Sequence, residues 1–324
     1  INLSEKKVAY SNAEAALLDL GDGIACLEFR SKGNSISPLV REFILETLAH
    51  NLYDFDGMII GSQSKHFSVG ANLNVIKENI DKKNFGYFEN SVKSFQDMTA
   101  AIKYCKKPIV AAPYRMVLGG GLEVTIHSSA RVALRKCYMG LVEIGVGLLP
   151  GGGGTKESAF LLKGAKEEDI EKILITLYEK LVCGKVSKDA EDAKKLLFLS
   201  DSDIIVDNED ELLDVAKQKC LELVKEGYKA KQPDTVVLPG KKGYDLMIKH
   251  GEKLLEDKII SPYDFEVGKK IALILSGSST EGPKEYTETE VLAQERRCFI
   301  ELTQSSKTYD RISYFLQKNE KLRN

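Results

Sequence analysis

A chain of 324 residues has room for one large domain or two ordinary ones, and for a sizeable buried core. Hydrophobic residues make up 43% and charged residues 29%, the balance of a folded globular protein and not of a disordered chain. With 46 basic and 48 acidic residues mixed along the sequence, the net charge of -2 exclude general attraction to nucleic acid or an anionic membrane, so an anionic ligand needs a local site.

The apolar runs at residues 108–113 and 271–275 fall far short of the roughly 20 residues that span a bilayer, so no membrane-spanning helix is expected. Six cysteines are scattered without a CxxC pair or a histidine at zinc-ligand spacing. They read as reduced, buried thiols of a cytoplasmic protein, with no metal site. The sequence opens at Ile1 in a polar stretch without Met or a signal region, which reads as a piece of a longer polypeptide.

In chain order, residues 15–29 alternate apolar runs around Gly21-Asp22-Gly23, the pattern of a β-hairpin. Ser37-Pro38 opens an amphipathic helix with Ser37 as cap and Leu39, Phe43, Ile44 and Leu48 on one face. Residues 57–62 read as a buried strand. The polar stretch at residues 72–84 leads to a helix over residues 85–103, which Lys106-Lys107-Pro108 ends before a strand at 109–112. Then follow Gly119-Gly120-Gly121, a helix over 122–128, a strand over 130–134 and a glycine-rich loop at 150–154. This alternation predicts an α/β fold with a largely buried sheet.

Beyond about residue 166 helical patterns dominate, apart from a strand at 203–206. Residues 232–242 read as a linker, and residues 244–324 as about three helices interrupted at 277–283. The expected division is a core over residues 1–200 and a helical region over 201–324.

Two glycine clusters, each near a glutamate, carry the chemistry. Gly119-Gly120-Gly121-Leu122-Glu123 stands where a strand gives way to a helix, so its amides point outward at a helix N-terminus as an anion or oxyanion site. Glu143 lies in the apolar string Leu141-Val142-Glu143-Ile144-Gly145, a setting that raises a carboxylate pKa by desolvation. Pro150-Gly151-Gly152-Gly153-Gly154-Thr155 follows. A helix-dipole role for Glu123 and a merely flexible connection at 151–154 are the plain alternatives.

The strings Phe67-Ser68-Val69-Gly70-Ala71-Asn72-Leu73, Lys107-Pro108-Ile109-Val110-Ala111-Ala112, Gly119 to Glu123, and Glu143 through Gly151 to Thr155 resemble successive signature segments of the crotonase superfamily. Their order and spacing match across about residues 15–200. The resemblance implies a crotonase-like ββα spiral followed by a helical C-terminal region. It implies an enoyl-CoA hydratase of fatty-acid β-oxidation, adding water syn across trans-2-enoyl-CoA. By the same resemblance the amides of Ala71 and Gly120 form the oxyanion hole, and loss of one such donor typically costs about 3–4 kcal/mol. Glu123 becomes the water-activating base and Glu143 the acid, steadied by the amide of Gly151.

Two departures stand out. Asn72 replaces the usual acidic residue after the oxyanion-hole alanine, and residues 30–34 are shorter than the common form, around the CoA contact expected at Lys32. The Val69 carbonyl is expected to meet the adenine. Residues 185–228, Ile260-Ser261-Pro262-Tyr263-Asp264 and the segment from Lys307-Thr308 to Leu322-Arg323-Asn324 resemble the hydratase half of bacterial bifunctional 3-hydroxyacyl-CoA dehydrogenases. NAD would then bind only to an N-terminal dehydrogenase half outside this chain, since no GxGxxG follows a strand here.

The resemblance requires no metal or redox cofactor here, with acyl-CoA as substrate and a homo-oligomer as a further expectation. The competing readings are an enoyl-CoA isomerase, for which one carboxylate often suffices, and a non-catalytic acyl-CoA-binding module. His127, without a partner histidine, reads as structural, and Lys106-Lys107 and Lys241-Lys242 as solvated helix ends.

Overall fold

The computed structural model describes all 324 residues, Ile1–Asn324. The strands in chain order are β1 (Lys7–Ser11), β2 (Ala15–Asp19), β3 (Ile24–Phe29), β4 (Gly57–Ile60), β5 (Ile109–Ala111), β6 (Arg115–Leu118), β7 (Ala130–Leu134), β8 (Cys137–Gly140), β9 (Ile204–Val206), β10 (Thr235–Leu238) and β11 (Lys284–Thr287). The helices are α1 (Pro38–Ala49), α2 (Leu73–Asp81), α3 (Phe85–Lys103), α4 (Gly120–His127), α5 (Gly154–Phe160), α6 (Glu167–Val182), α7 (Ala190–Lys195), α8 (Leu212–Lys225), α9 (Lys241–Glu256), α10 (Pro262–Ser276), α11 (Glu288–Thr303) and α12 (Ser306–Lys318).

Two compact units interleave along the chain. One comprises Ile1–Asn72, Asp97–Gly140 and Val186–Gln232; the other comprises Leu73–Gln96, Leu141–Lys185 and Pro233–Asn324.

The first unit is built on a seven-stranded sheet in the order β1-β2-β3-β4-β5-β7-β9. Strands β1 to β3 form an antiparallel meander, and every pairing from β3 to β9 is parallel. The expected hairpin is present, with left-handed φ angles at Gly21, Asp22 and Gly23 making its turn. Strands β4 and β5 are buried at every residue, which is why they read as unbroken apolar runs instead of alternating ones. Helix α8 covers β4, β5 and β7, burying Leu212, Leu213, Ala216 and Cys220.

Ser37 caps α1 as expected, accepting a hydrogen bond from Val40 N. Phe43 and Ile44 are buried as expected, together with Val40, Arg41 and Thr47, whereas Leu39 is exposed and Leu48 half-buried. Strands β6 and β8 form a separate parallel pair that the sequence reading passed over. This short pair ends at the glycine cluster, where Gly119 N donates to Gly140 O at 2.9 Å.

The second unit is mainly helical. Helix α10 packs on α6 and α9, burying Leu174, Leu177, Leu181, Met247, Val267, Ile271 and Ile274. A capping box of Ser261 and Asp264 starts α10, and Thr287 with Glu290 starts α11 in the same way. The stretch expected to be a linker holds β10, paired antiparallel with β11, and four helices, α9 to α12, occupy the region read as about three. The polar stretch at 72–84 holds α2, a short helix, polar on average, with no fully buried residue. No helix is long and apolar enough to cross a membrane.

Candidate active site

In the first unit the loop that leads to the expected donor Ala71 meets the start of α4, where the expected donor Gly120 lies. Gly70 has φ +92°, and a Cβ there would stand 2.9 Å from Leu118 O and 3.4 Å from Gly120 N. The strip before Ala71 therefore lies against the strip before Gly120, and a side chain would force the two apart. The ladder beside it comes from Ser68: its N–H donates to Met116 O at 3.1 Å, and its carbonyl accepts from Leu118 N at 3.0 Å. Ser68 Oγ accepts from Gly70 N at 3.2 Å, and Gly70 O accepts from Ile36 N at 2.9 Å.

Gly120 is the first residue of α4, so its N–H falls outside the ladder of that helix and aims out of its positive end. Ala71 is exposed, while Glu123, in the first turn of α4, is only 3% exposed. The geometry suits an anion or a developing negative charge at the amides with a carboxylate close by in the chain. Lys32 and Val69 lie on neighbouring loops, tied by the hydrogen bond from Val69 N to Gly33 O at 3.2 Å, and both are exposed. A cleft of about 700 Å³ beside them is lined by Arg30, Gly33, Asn34, Ser62, Lys65 and His66, among others, and does not include Ala71, Gly120 or Glu123.

The second unit holds Glu143 and Gly151. Glu143 opens a 3-10 turn, Glu143–Val146, that closes on Gly147 in the left-handed conformation. The residue is half-buried, but its Oε2 is shut off from solvent and accepts no hydrogen bond. Burial pushes its carboxyl up to about 7, its own N–H pulls the other way, and the charge of Glu295 adds to the rise. The expected raised pKa of Glu143 is therefore present, together with a partner that sequence reasoning missed.

Glu295 lies on α11, fully buried. Its Oε1 accepts from Gly153 N at 2.7 Å and from Gln96 Nε2 at 3.2 Å, and its Oε2 accepts from Lys156 N at 2.9 Å. Gly151 meets the same helix one turn on: a Cβ there would stand 2.7 Å from Phe299 Cδ2. The glycine-rich loop is thus short of side chains because α11 lies directly on it. The only sequence sign of Glu295 is its place on an otherwise apolar stripe with Val291, Cys298, Phe299 and Leu302.

The turn carrying Glu143 is also clamped. Arg311, 1% exposed on α12, donates through Nη1 to Ile144 O at 2.8 Å and to Asp264 Oδ1 at 2.6 Å. Its Nη2 donates to Ser261 Oγ at 2.9 Å, and its Nε to Asn324 Oδ1 at 2.8 Å. Thr308 Oγ1 donates to Gly147 O at 2.8 Å. Ser261, Asp264, Thr308 and Asn324 all come from the C-terminal strings singled out in the sequence, and they meet on this turn.

The remaining candidates are accounted for locally. His127 Nδ1 lies 2.7 Å from Glu123 O, within its own helix. Lys107 Nζ donates to the carbonyls of Leu52, Tyr53 and Phe55, so it ties a loop end and is not simply solvated. Lys241 pairs with Asp245, and Lys242 with Glu171.

Comparison with known proteins adds the following. Residues 24–163 match the model of the family described as enoyl-CoA hydratase/isomerase. A Bacillus subtilis (strain 168) protein named probable 3-hydroxyacyl-CoA dehydrogenase is 36% identical over 319 residues, 98% of this chain and 40% of that protein. A Rickettsia felis protein named for the trifunctional enzyme of a fatty acid oxidation complex is 31% identical over 171 residues, 53% of this chain and 24% of that protein. The chain thus spans well under half the length of either relative. The crystal structure of an enoyl-CoA hydratase from Bacillus halodurans superposes with a TM-score of 0.62 at 17% identity, covering 93% of this chain and 99% of the other.

Proposed function

We propose that this chain, whose residues 24–163 match the enoyl-CoA hydratase/isomerase family, is a crotonase-superfamily enzyme that hydrates trans-2-enoyl-CoA in fatty-acid oxidation. The amides of Ala71 and Gly120 take the thioester carbonyl as negative charge develops on it, which leaves the β-carbon electrophilic. Glu123 accepts a proton from the attacking water, and Glu143 delivers one to the α-carbon, with Gly151 as backbone support for Glu143. Lys32 and the Val69 carbonyl serve the CoA moiety.

The observation that carries this reading is Glu143 itself, a carboxyl raised by burial to about 7 and so still able to donate a proton near neutrality. A second carboxylate, Glu123, at the N-terminus of α4 favours hydration over isomerisation, for which one often suffices. As part of a larger enzyme, the chain would pass its 3-hydroxyacyl product to an NAD-dependent dehydrogenase half. The name of the 36% identical relative supports that reading.

The test is loss of the enoyl-thioester ultraviolet band when the purified chain meets crotonyl-CoA and longer homologues, with CoA binding as control. We expect Glu123→Gln and Glu143→Gln each to lower kcat by about 10²–10⁴-fold while CoA still binds. Binding without hydration at any chain length would sink the reading, and double-bond migration without hydration would replace it with isomerisation.

A further inference from the structure

Three features outside the expected set draw on the second unit: the buried Glu295, the Arg311 clamp, and Lys156 with its two carboxylate partners Glu157 and Glu288. Glu295 is the one whose position has a chemical consequence. It sits on α11 with both oxygens engaged by the loop that follows Glu143, and a fully buried carboxylate is costly unless something in the site uses or offsets it. What offsets it is visible: two backbone N–H groups and the Gln96 amide. Glu143 Oε2, also enclosed, has no donor at all.

We propose that Glu295 is a positioning residue for the proton-handling site: it pins residues 153–156 through two backbone hydrogen bonds, and its retained negative charge keeps the transferable proton on Glu143. The role rests on the hydratase reading for its use in catalysis, but not for its electrostatics.

The charge of Glu295 reaches Glu143, where it adds to the rise that burial makes, so the two carboxyls titrate as a pair and the second negative charge is harder to form than the first. Burial pushes each up to about 7, so the two environments decide which keeps the charge. Three N–H donors favour the anion at Glu295, and the orphaned oxygen favours the acid at Glu143.

The other charged groups around the pair are engaged elsewhere. Lys156 Nζ lies with Glu157 and Glu288, although its positive charge also favours the anion at Glu295. Arg296, next on α11, binds Glu89 and Gln96 Oε1, which turns the Gln96 amide toward Glu295. Near Glu143, the Arg311 guanidinium is committed to Asp264, and the Lys321 side-chain carbons lie over Gly145.

The experiment uses the full chain with Glu295→Gln, Glu295→Asp and Gln96→Leu. Carboxyl ¹³C NMR on Glu-labelled protein follows the titration of Glu143, with Glu143→Gln identifying its signal. Glu295→Gln removes the neighbouring charge, so the Glu143 midpoint should fall by roughly 0.5–1 pH unit, burial being the larger cause of its rise. The alkaline limb of kcat should move down with it, while KM for crotonyl-CoA stays within about twofold. Glu295→Asp, which keeps the charge, should restore the midpoint. Should Glu295→Gln fail to fold, Gln96→Leu, which removes one donor from Glu295, should shift the midpoint in the same direction.

A Glu143 midpoint unchanged in the folded variants overturns the proposal, as does a uniform fall in activity with the limb in place, which would mark Glu295 as structural only. If the wild-type chain hydrates nothing, the hydratase reading fails, while the NMR titration still decides the role of Glu295.

Discussion

The buried carboxyl of Glu143 ties stability to pH. Its folded pKa, about 7, lies above the 4.5 of an unperturbed glutamate, so the folded state binds the proton more tightly than the unfolded chain. That contribution is fully present below about pH 4.5 and is lost as pH rises through about 7. Glu143→Gln cannot ionise and should flatten this fall by about 1–3 kcal/mol, judged against roughly 1.4 kcal/mol per pKa unit. Urea unfolding of both proteins at about pH 5 and about pH 8 checks the sign, because the variant should gain on the wild type at the higher pH. A second prediction at this scale concerns Gly70, where φ is +92° and a Cβ would stand 2.9 Å from Leu118 O. Gly70→Ala should cost about 1–3 kcal/mol and lower hydration more than CoA binding, because it spreads the strips that carry Ala71 and Gly120.

At the scale of elements, the turn Glu143–Val146 borrows hydrogen bonds from α12, through Arg311 to Ile144 O and Thr308 to Gly147 O, while Asp264 of α10 holds Arg311 in place. Arg311→Leu would leave Asp264 buried without its cation and Ile144 O without its donor. Breaking a buried pair in this way costs about 3–5 kcal/mol, so the melting temperature should fall by several degrees. The double variant Arg311→Leu with Asp264→Leu should recover part of that loss, since the unpaired charge is then gone. The elements themselves were largely legible where pattern and local chemistry agree. Ser37-Pro38 marks the start of α1, Gly21-Asp22-Gly23 marks its hairpin, and β4 and β5 show as apolar runs. Strands β6, β8 and β10 were not legible, because three or four residues of strand gain their identity from a partner and carry little periodicity of their own. Helix α2 was passed over for a different reason: its segment is polar on average, although its few apolar residues fall on one face.

For the whole molecule, the matched region takes in 98% of this chain but only 40% of the Bacillus subtilis relative named for dehydrogenase activity. The bifunctional reading predicts that this chain, given 3-hydroxyacyl-CoA and NAD, forms no NADH while it still interconverts enoyl-CoA and 3-hydroxyacyl-CoA. Measuring both signals in one cuvette checks it, and NADH formation by this chain would overturn the division of labour.

The sequence by itself determined the fold class and supplied the pieces of the proposed site: the glycine clusters, Glu123 and Glu143 are local strings whose order alone resembles a family. The apolar setting of Glu143 also foretold its raised pKa, because desolvation begins with immediate neighbours. Only the tertiary structure decided which groups share that setting. Glu295 reaches Gly153 across 142 residues, and Arg311 reaches Ile144 across 167. No periodicity encodes such pairings. A buried charge is tolerated only where the fold brings donors to it, and those donors exist as a set only once the chain has closed.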